Sequence, residues 1–417
     1  MTVDTPEPQP ADQTYRCPGE QKSISRAVHL GRLARFYAAC RECPHREETG
    51  SLSPRLVKRL AETERGRRAR PLWDGAAFWG VYLNDLTPAT ARQLAVAMGL
   101  HLLAHRPQDQ APVVLVAGDG RSLAPELLAA ASDGLRWPGC NVVDAGASSG
   151  PCLAFAVHHL EADGGLLVGN PGDRPETVGL RCWMPGPEPL ASTIAESIVG
   201  QLDSAHDRPT RKSGSARGFQ AEVPYLSALG RYYHALRPLR LVVSTSCPPV
   251  RRYLEKLTST VDCEVLPCPA PARLPEQIVE RSAHLGAGLA DDGQRLHLWD
   301  ECGRPVPAED CLEILTAYLL AEQPDGVVVL EEETSAAIVE SIRRLGARVV
   351  LSGSQPARMY AACRGHRAIF GGGPRGAFWP ALDGHAAPDG LLTLTLLLGL
   401  LSRDDRPLSQ WVAGRRD

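Results

Sequence analysis

From about residue 73 onward, short apolar runs alternate with longer amphipathic ones. "PVVLVAGD" (112–119), "NVVDAG" (141–146) and "GLLVG" (165–169) read as buried strands, each separated by a helical stretch such as 124–137 or 151–162. A helix over 86–105 is predicted from Thr87 as its N-cap and Pro88 in its first turn. Fully apolar strands between helices predict an α/β layer with both sheet faces covered.

The polar stretch 203–218 marks a boundary, and two more units of the same kind follow. The second has helices over 225–236, 249–260 and 274–283, with strands over 240–246, 263–267 and 285–290. The third has strands over 326–331, 347–353 and 367–372, with helices over 309–321, 334–345, 355–363 and 388–402. The expected organisation is a disordered tail (1–14), a basic helical cysteine module (15–72), three α/β/α domains (73–205, 219–305 and 306–403) and a C-terminal tail (404–417).

Composition adds exclusions. A net charge of −3 over 417 residues does not support nucleic-acid binding by the body of the chain. No apolar run reaches the roughly 18–20 residues that span a bilayer, and the N-terminus lacks the basic start and apolar stretch of a signal peptide. A cytoplasmic address is expected, with the 12 cysteines mostly reduced. Cys140, Cys152 and Cys311 sit in apolar surroundings and read as small core residues.

Residues 1–72 carry 14 Arg or Lys against nine Asp or Glu. Helices are predicted over 23–37, with Ile24, Ala27, Val28, Ala34 and Tyr37 near one face, and over 53–71, capped by Ser53. Cys40 and Cys43 are spaced C-x-x-C, which lets two thiolates converge on one metal. With Cys17 and His45 they would form a tetrahedral zinc site, His29 being a substitute ligand. The competing reading is reduced thiols beside a basic helix. That positive charge suits an acidic partner, nucleic acid included, or the acidic remainder of this chain.

Five segments, in order, carry a resemblance to the α-D-phosphohexomutases, the phosphomannomutases and phosphoglucomutases. "AFWGVYLNDLTPATARQLAVAMG" resembles that family's entry segment, and "VLVAGDGRSLAPELLAAASDGL" its "vvvgrDgRpsSpel". "GGLLVGNPGDRPETVGLRCW" resembles the active-site segment "GGimiTASHNPpeyNGlK". "LGAGLADDGQRLHLWDECGR" resembles the metal loop "lGiafDGDgDRl.vvDe.G", and "AIFGGGPRGAFWPALDGHAAPDGLLTLTLLL" the sugar loop beginning "fGGEqSGh". The resemblance implies four domains in the family. It also implies a phosphoserine that exchanges a phosphoryl group with a phosphosugar, Mg²⁺ on three aspartates, and a fourth domain gripping the distal phosphate.

Carried over by position, much of that machinery is replaced. Pro171 stands where the serine nucleophile should be, so no catalytic residue is assigned. The three aspartate positions hold Ala290, Asp292 and Gln294, with Asp291 at the neighbouring glycine. Asp292 is thus a vestige of the metal site, and Mg²⁺ is not expected without substrate. Arg295 is retained, while Gly373 and Arg375 replace the sugar loop's Glu and Ser. The fourth domain is expected to be absent.

Arg174, Arg295 and Arg375 are the candidate anion-binding residues, with Arg181 beside them. One reading is a retained hexose-phosphate pocket without turnover. The other is that these arginines are solvated or paired with Asp173, Asp291 and Asp292. Ser148 and Ser149, at an adjacent strand end, are alternative nucleophiles or an ordinary turn before a helix. Three functions follow: a catalytically inactive phosphohexomutase relative that binds a phosphosugar or regulates, an active phosphomannomutase- or phosphoglucomutase-like isomerase, or a metal-bearing scaffold for a partner.

Overall fold

The computed structural model describes residues 14–17, 22–35, 37, 40, 43–62, 72–82, 85–106, 110–121, 124–169, 177–202, 204, 206–234, 236–259, 261–290 and 292–413. Three larger sheets, each packed with helices, follow one another along the chain.

The first unit is built on a seven-stranded sheet. Its order is Phe78–Val81, Thr177–Met184, Gly164–Gly169, Val113–Gly118, Asn141–Ala147 and Ala216–Gly218, with Glu188–Pro189 paired to Thr177–Met184. Val113–Gly118 runs parallel to both Asn141–Ala147 and Gly164–Gly169. Alternate residues face opposite sides, as strand geometry requires. Val114 and Val116 join the cluster under the helices Pro88–Ala104 and Ala124–Arg136. Those two helices approach closely at Gly134, where a Cβ would lie 2.4 Å from the Arg92 carbonyl oxygen. Leu115 and Ala117 face the other way, into a core continuous with Tyr225 and Leu254 of the second unit and Leu312 and Leu394 of the third. One apolar core therefore ties the three units together.

The second unit has a sheet ordered Glu264–Pro267, Arg240–Thr245, Leu285–Leu289, Leu296–Trp299 and Pro305–Val306. The third has three parallel strands ordered Arg348–Ser352, Val327–Glu331 and Phe370–Gly372. Its closing helix, Gly390–Arg403, is buried along most of its length and capped by Asp389, which accepts from the Leu392 N–H at 2.9 Å.

Several boundaries differ from the sequence-based expectations. The expected tail 1–14 lies outside the described residues except Thr14, which starts the strand Thr14–Arg16. The expected helix 23–37 is a strand, Ser23–Ser25, followed by the helix Arg26–Ala34. Its buried face is His29 and Leu33 rather than Val28, which is 45% exposed, because the module wraps this helix with Tyr15 and Cys40. The second helix is described over Pro54–Glu62, and residues 63–71 lie outside the described residues. The polar boundary 203–218 is not wholly a linker. Ala216–Gly218 pairs its backbone with Val142–Asp144 and closes the first sheet's edge. The expected C-terminal tail contains the helix Leu408–Ala413, whose Leu408 is buried and whose Ser409 hydroxyl bonds Glu301. Strand Thr177–Met184 went unpredicted because its apolar residues are broken by Gly179 and Arg181.

Candidate functional site

The strands Gly164–Gly169 and Thr177–Met184 lie side by side and antiparallel, pairing Gly169 with Gly179 and Leu167 with Arg181. Residues 170–176 connect them and, with Pro171, Asp173 and Arg174, lie outside the described residues, as does Asp291. The flanks of this connection are braced. Buried Asp119 accepts from the Arg121 Nε at 2.5 Å and from the Arg121 N–H at 3.0 Å, and Arg121 Nη1 reaches the Thr177 carbonyl at 3.4 Å.

The loop 290–295 is held from both sides. The Gly150 N–H of the first unit donates to the Asp292 carbonyl at 2.9 Å, and the Gly390 N–H of the third donates to the Gly293 carbonyl at 3.0 Å. Gly293 has φ +81°, which favours glycine, and a Cβ there would press on Val250 at 3.1 Å. Beyond the loop, Leu296 N–H donates to the Gly376 carbonyl at 2.9 Å, and Arg295 pairs with Ala377. The segments resembling the metal and sugar loops are thus stitched into one wall.

Between them opens a cleft of about 310 Å³, lined by residues of all three units, including Asp74, Arg181, Asp292, Arg295, Glu331 and Arg375. Asp292 is spent internally. Its Oδ2 accepts from Arg181 Nη2 at 2.8 Å, its Oδ1 accepts from the Gln294 N–H at 3.0 Å, and both side chains of the ion pair are about 15% exposed. Arg375 is exposed and sits 3.2 Å from Glu331 Oε2 and 3.8 Å from Glu333 Oε1. Burial pushes the Glu331 carboxyl above its usual range, while Arg375 and Arg295 pull it back. Of the sequence-predicted residues, the cleft brings together Arg295, Arg375, Arg181 and Asp292. The pairing reading holds for Arg181 and Asp292, while Arg375 pairs with glutamates rather than with a loop aspartate.

Sequence reasoning missed Glu331. It is 3% exposed and ends the parallel strand Val327–Glu331, and ligands of such sheets gather at the carboxyl ends of strands. The run "VVVLEEET" held that signal, since its first carboxylate immediately follows four apolar residues.

The resemblance implies Mg²⁺ on this wall, and the residues present do not fit it. Both Asp292 oxygens already accept hydrogen bonds, a guanidinium stands against one of them, and position 290 offers only a methyl group. Mg²⁺ requires near-octahedral oxygen ligands. Nor do Ser148 and Ser149 form a nucleophile. Both are buried, Ser149 Oγ caps the helix Gly150–His159 by accepting from the Cys152 N–H, and Ser148 Oγ donates to the Ser149 carbonyl.

In the N-terminal module Cys17, Cys40 and Cys43 are all buried. Burial, and then the Cys17 and Cys43 thiols, push the Cys40 thiol up to about 11. Arg32 Nη1 lies 2.8 Å from Cys17 Sγ. His45 faces Glu48 at 2.7 Å and meets the Tyr15 ring edge-on, while His29 stacks on Tyr15 at 4.1 Å. Among the described residues, no three His, Cys, Asp or Glu side chains stand arranged to hold a metal ion. Also among the described residues, no helix is long and apolar enough to cross a membrane.

Residues 79–208 match the model of phosphoglucomutase/phosphomannomutase, alpha/beta/alpha domain I. A protein of Methanopyrus kandleri named a probable phosphoglucosamine mutase is 26% identical over 353 residues, covering 79% of this chain and 75% of that one. A phosphoglucomutase/phosphomannomutase of Thermococcus kodakarensis is 28% identical over 65% of this chain and 64% of that one. The crystal structure of a phosphoglucomutase/phosphomannomutase family protein from Burkholderia thailandensis superimposes with a TM-score of 0.73 at 21% identity, covering 81% of this chain and 78% of that one. Residues 79–208 thus match domain I of the phosphoglucomutases and phosphomannomutases, and most of the remainder is similar in sequence to proteins named as such mutases and shares their fold.

Proposed function

We propose that this chain is a phosphohexomutase relative that binds a hexose phosphate in its interdomain cleft and does not turn it over. The observation that carries this reading is the Arg181–Asp292 pair at 2.8 Å. The one aspartate kept at the three metal-loop positions is engaged by a guanidinium, in a cleft that still presents Arg295 and Arg375. Pro171 at the phosphoserine position supports it, because a side chain without oxygen cannot carry a phosphoryl group. Loss of a catalytic nucleophile alone removes on the order of 10⁶ in rate.

The names of the relatives favour a second reading, an active phosphomannomutase- or phosphoglucomutase-like isomerase. A coupled mutase assay on purified protein separates them, using glucose 1-phosphate and mannose 1-phosphate with Mg²⁺ and the 1,6-bisphosphate. Turnover at an ordinary mutase rate establishes the isomerase. A melting shift with hexose phosphates and no turnover is the outcome expected here.

For the N-terminal module we propose a zinc ion held by Cys17, Cys40 and Cys43 with His45 or His29 as the fourth ligand. Three buried thiols support it, since among the described residues the apolar cluster of the module is Leu33, Cys40 and Leu60 with Leu30, Tyr37 and Leu52 against it, and so little burial needs a staple. The ion would have to draw His45 away from Glu48 or His29 away from Tyr15. The module's excess of basic residues suits an acidic protein partner. Metal analysis of freshly purified protein tests the zinc, and its absence refutes the assignment.

A further inference from the structure

Position 373 holds glycine where the resembling sugar loop has glutamate. The space a side chain would use there is already taken. A Cβ built on Gly373 would lie 2.2 Å from Glu331 Cδ and 2.2 Å from Glu331 Oε2. Such contacts do not occur between real atoms, so a side chain at 373 and the observed position of the Glu331 carboxylate exclude each other. The carboxylate beside this position comes from a strand end, Glu331, instead of from the loop. Glu331 is buried, yet it lines the cleft, and Arg375 holds its Oε2 from the solvent side. Strand Val327–Glu331 pairs on both sides, with Arg348–Ser352 and with Phe370–Gly372, so the carboxylate is carried on rigid backbone.

On the metal-loop part of the same wall, Arg181 stands where the resembling segment ends in lysine. Arg181 reaches across from the first unit and sets its guanidinium on Asp292. A guanidinium is charged at all accessible pH and has five N–H donors in a planar fork. The Arg181 side chain also lines the cleft. It therefore offers positive charge and directed donors on the wall where the metal loop would present an ion.

We propose that the cleft binds a sugar phosphate without any divalent cation, Arg181 on Asp292 standing in for the metal and Glu331 accepting hydrogen bonds from ligand hydroxyls in place of the glutamate absent at 373. This rests on the hexose-phosphate reading above and adds to it how the ligand is recognised. Arg295 and Arg375 take the phosphate. Among the described residues no ion pair engages Arg295, and Arg375 is exposed and free to turn from Glu331 to an anion. The Glu331 oxygen so released faces the sugar.

The test is thermal melting of the full chain titrated with glucose 6-phosphate, with inorganic phosphate and with glucose, each in EDTA and in excess Mg²⁺. Equal glucose 6-phosphate shifts in EDTA and in Mg²⁺ are expected, and a shift that needs Mg²⁺ overturns the cation-free site while leaving hexose-phosphate binding intact. Glu331→Gln keeps the volume and removes the charge. It is expected to weaken glucose 6-phosphate about 10- to 100-fold, the cost of losing hydrogen bonds to a charged group, and, because it releases Arg375, not to weaken inorganic phosphate. Equal affinity of Glu331→Gln and the parent for glucose 6-phosphate overturns the role of Glu331. Arg375→Gln, at an exposed position, keeps the proposal testable if Glu331→Gln fails to fold. It is expected to weaken glucose 6-phosphate and inorganic phosphate alike, and unchanged binding of both overturns the phosphate assignment. No shift with glucose 6-phosphate in either buffer overturns the hexose-phosphate reading itself.

Discussion

Arg181 and Asp292 meet at 2.8 Å across the boundary between the first and second units, 111 residues apart in the chain. The pair neutralises the carboxylate of the segment that resembles a metal loop and joins two units of the fold. Removing one partner of a largely buried pair strands the other charge. Arg181→Ala is expected to lower the urea midpoint, and Arg181→Ala with Asp292→Ala to recover part of that loss. The double-mutant cycle should return a coupling of about 0.5–3 kcal/mol. Purely additive losses would show that the contact does not join the domains.

Gly373 and Glu331 give a second cycle. Gly373→Ala places a methyl group into Glu331 and is expected to cost roughly 1–3 kcal/mol through overpacking. Glu331→Ala in the same chain should relieve most of it. Chemical denaturation of the three variants measures both effects, and a Gly373→Ala protein as stable as the parent would contradict the packing described.

Asp389 predicts a pH dependence. It is 5% exposed, caps the helix Gly390–Arg403 and accepts from the Tyr225 hydroxyl at 2.8 Å. Burial pushes its carboxyl up to about 6, against the lowering effect of those hydrogen bonds. The native state then holds a proton that the unfolded chain releases at a lower pH. Asp389's contribution is fully present below the unfolded value of 3.8 and is lost as pH rises through about 6. The loss is on the order of 3 kcal/mol. Asp389→Asn, which cannot ionise, should flatten the stability profile between pH 4 and about 6. An unchanged profile in that window would contradict the burial of this carboxyl.

His385 works in the opposite direction. Burial drives its imidazole down to about 3, helped by His158, on which it stacks at 5.0 Å, and by Arg364. His158 belongs to the first unit and His385 to the third. Neutral His385 therefore contributes stability above the usual histidine value near 6.5, and this is lost as pH falls toward 3. His385→Phe should make the contact between these units less acid-sensitive, read as slower limited proteolysis at pH 5 relative to the parent. The same acid sensitivity in both proteins would count against it.

The N-terminal module supplies a metal prediction. About one equivalent of zinc is expected in purified protein and should be lost in Cys40→Ala, with the melting of the module lowered by chelator. Zinc retained by Cys40→Ala would remove that thiol from the site.

Much of the fold was legible because its strands are continuous apolar runs. The run 113–118 is one example, buried on both faces between helices. Elements whose pairing is decided by backbone rather than side chains were not legible. Ala216–Gly218 is an exposed edge strand inside a polar stretch, and nothing in its side chains announces the pairing with Val142. In the cleft, Arg181, Asp292, Arg295 and Arg375 were found by aligning motifs, because loops keep their place in sequence when their residues change. Glu331 was not, because its relation to Gly373 is a contact between positions 42 residues apart and appears only when the volumes are compared.

The central claim is that the cleft holds a hexose phosphate and leaves it unchanged. A ³¹P NMR time course of glucose 1-phosphate with purified protein, Mg²⁺ and glucose 1,6-bisphosphate tests it most directly. The account predicts a broadened or shifted glucose 1-phosphate signal that keeps its integral, with no glucose 6-phosphate resonance appearing beside those of the bisphosphate. Growth of a 6-phosphate signal at a mutase rate would contradict it.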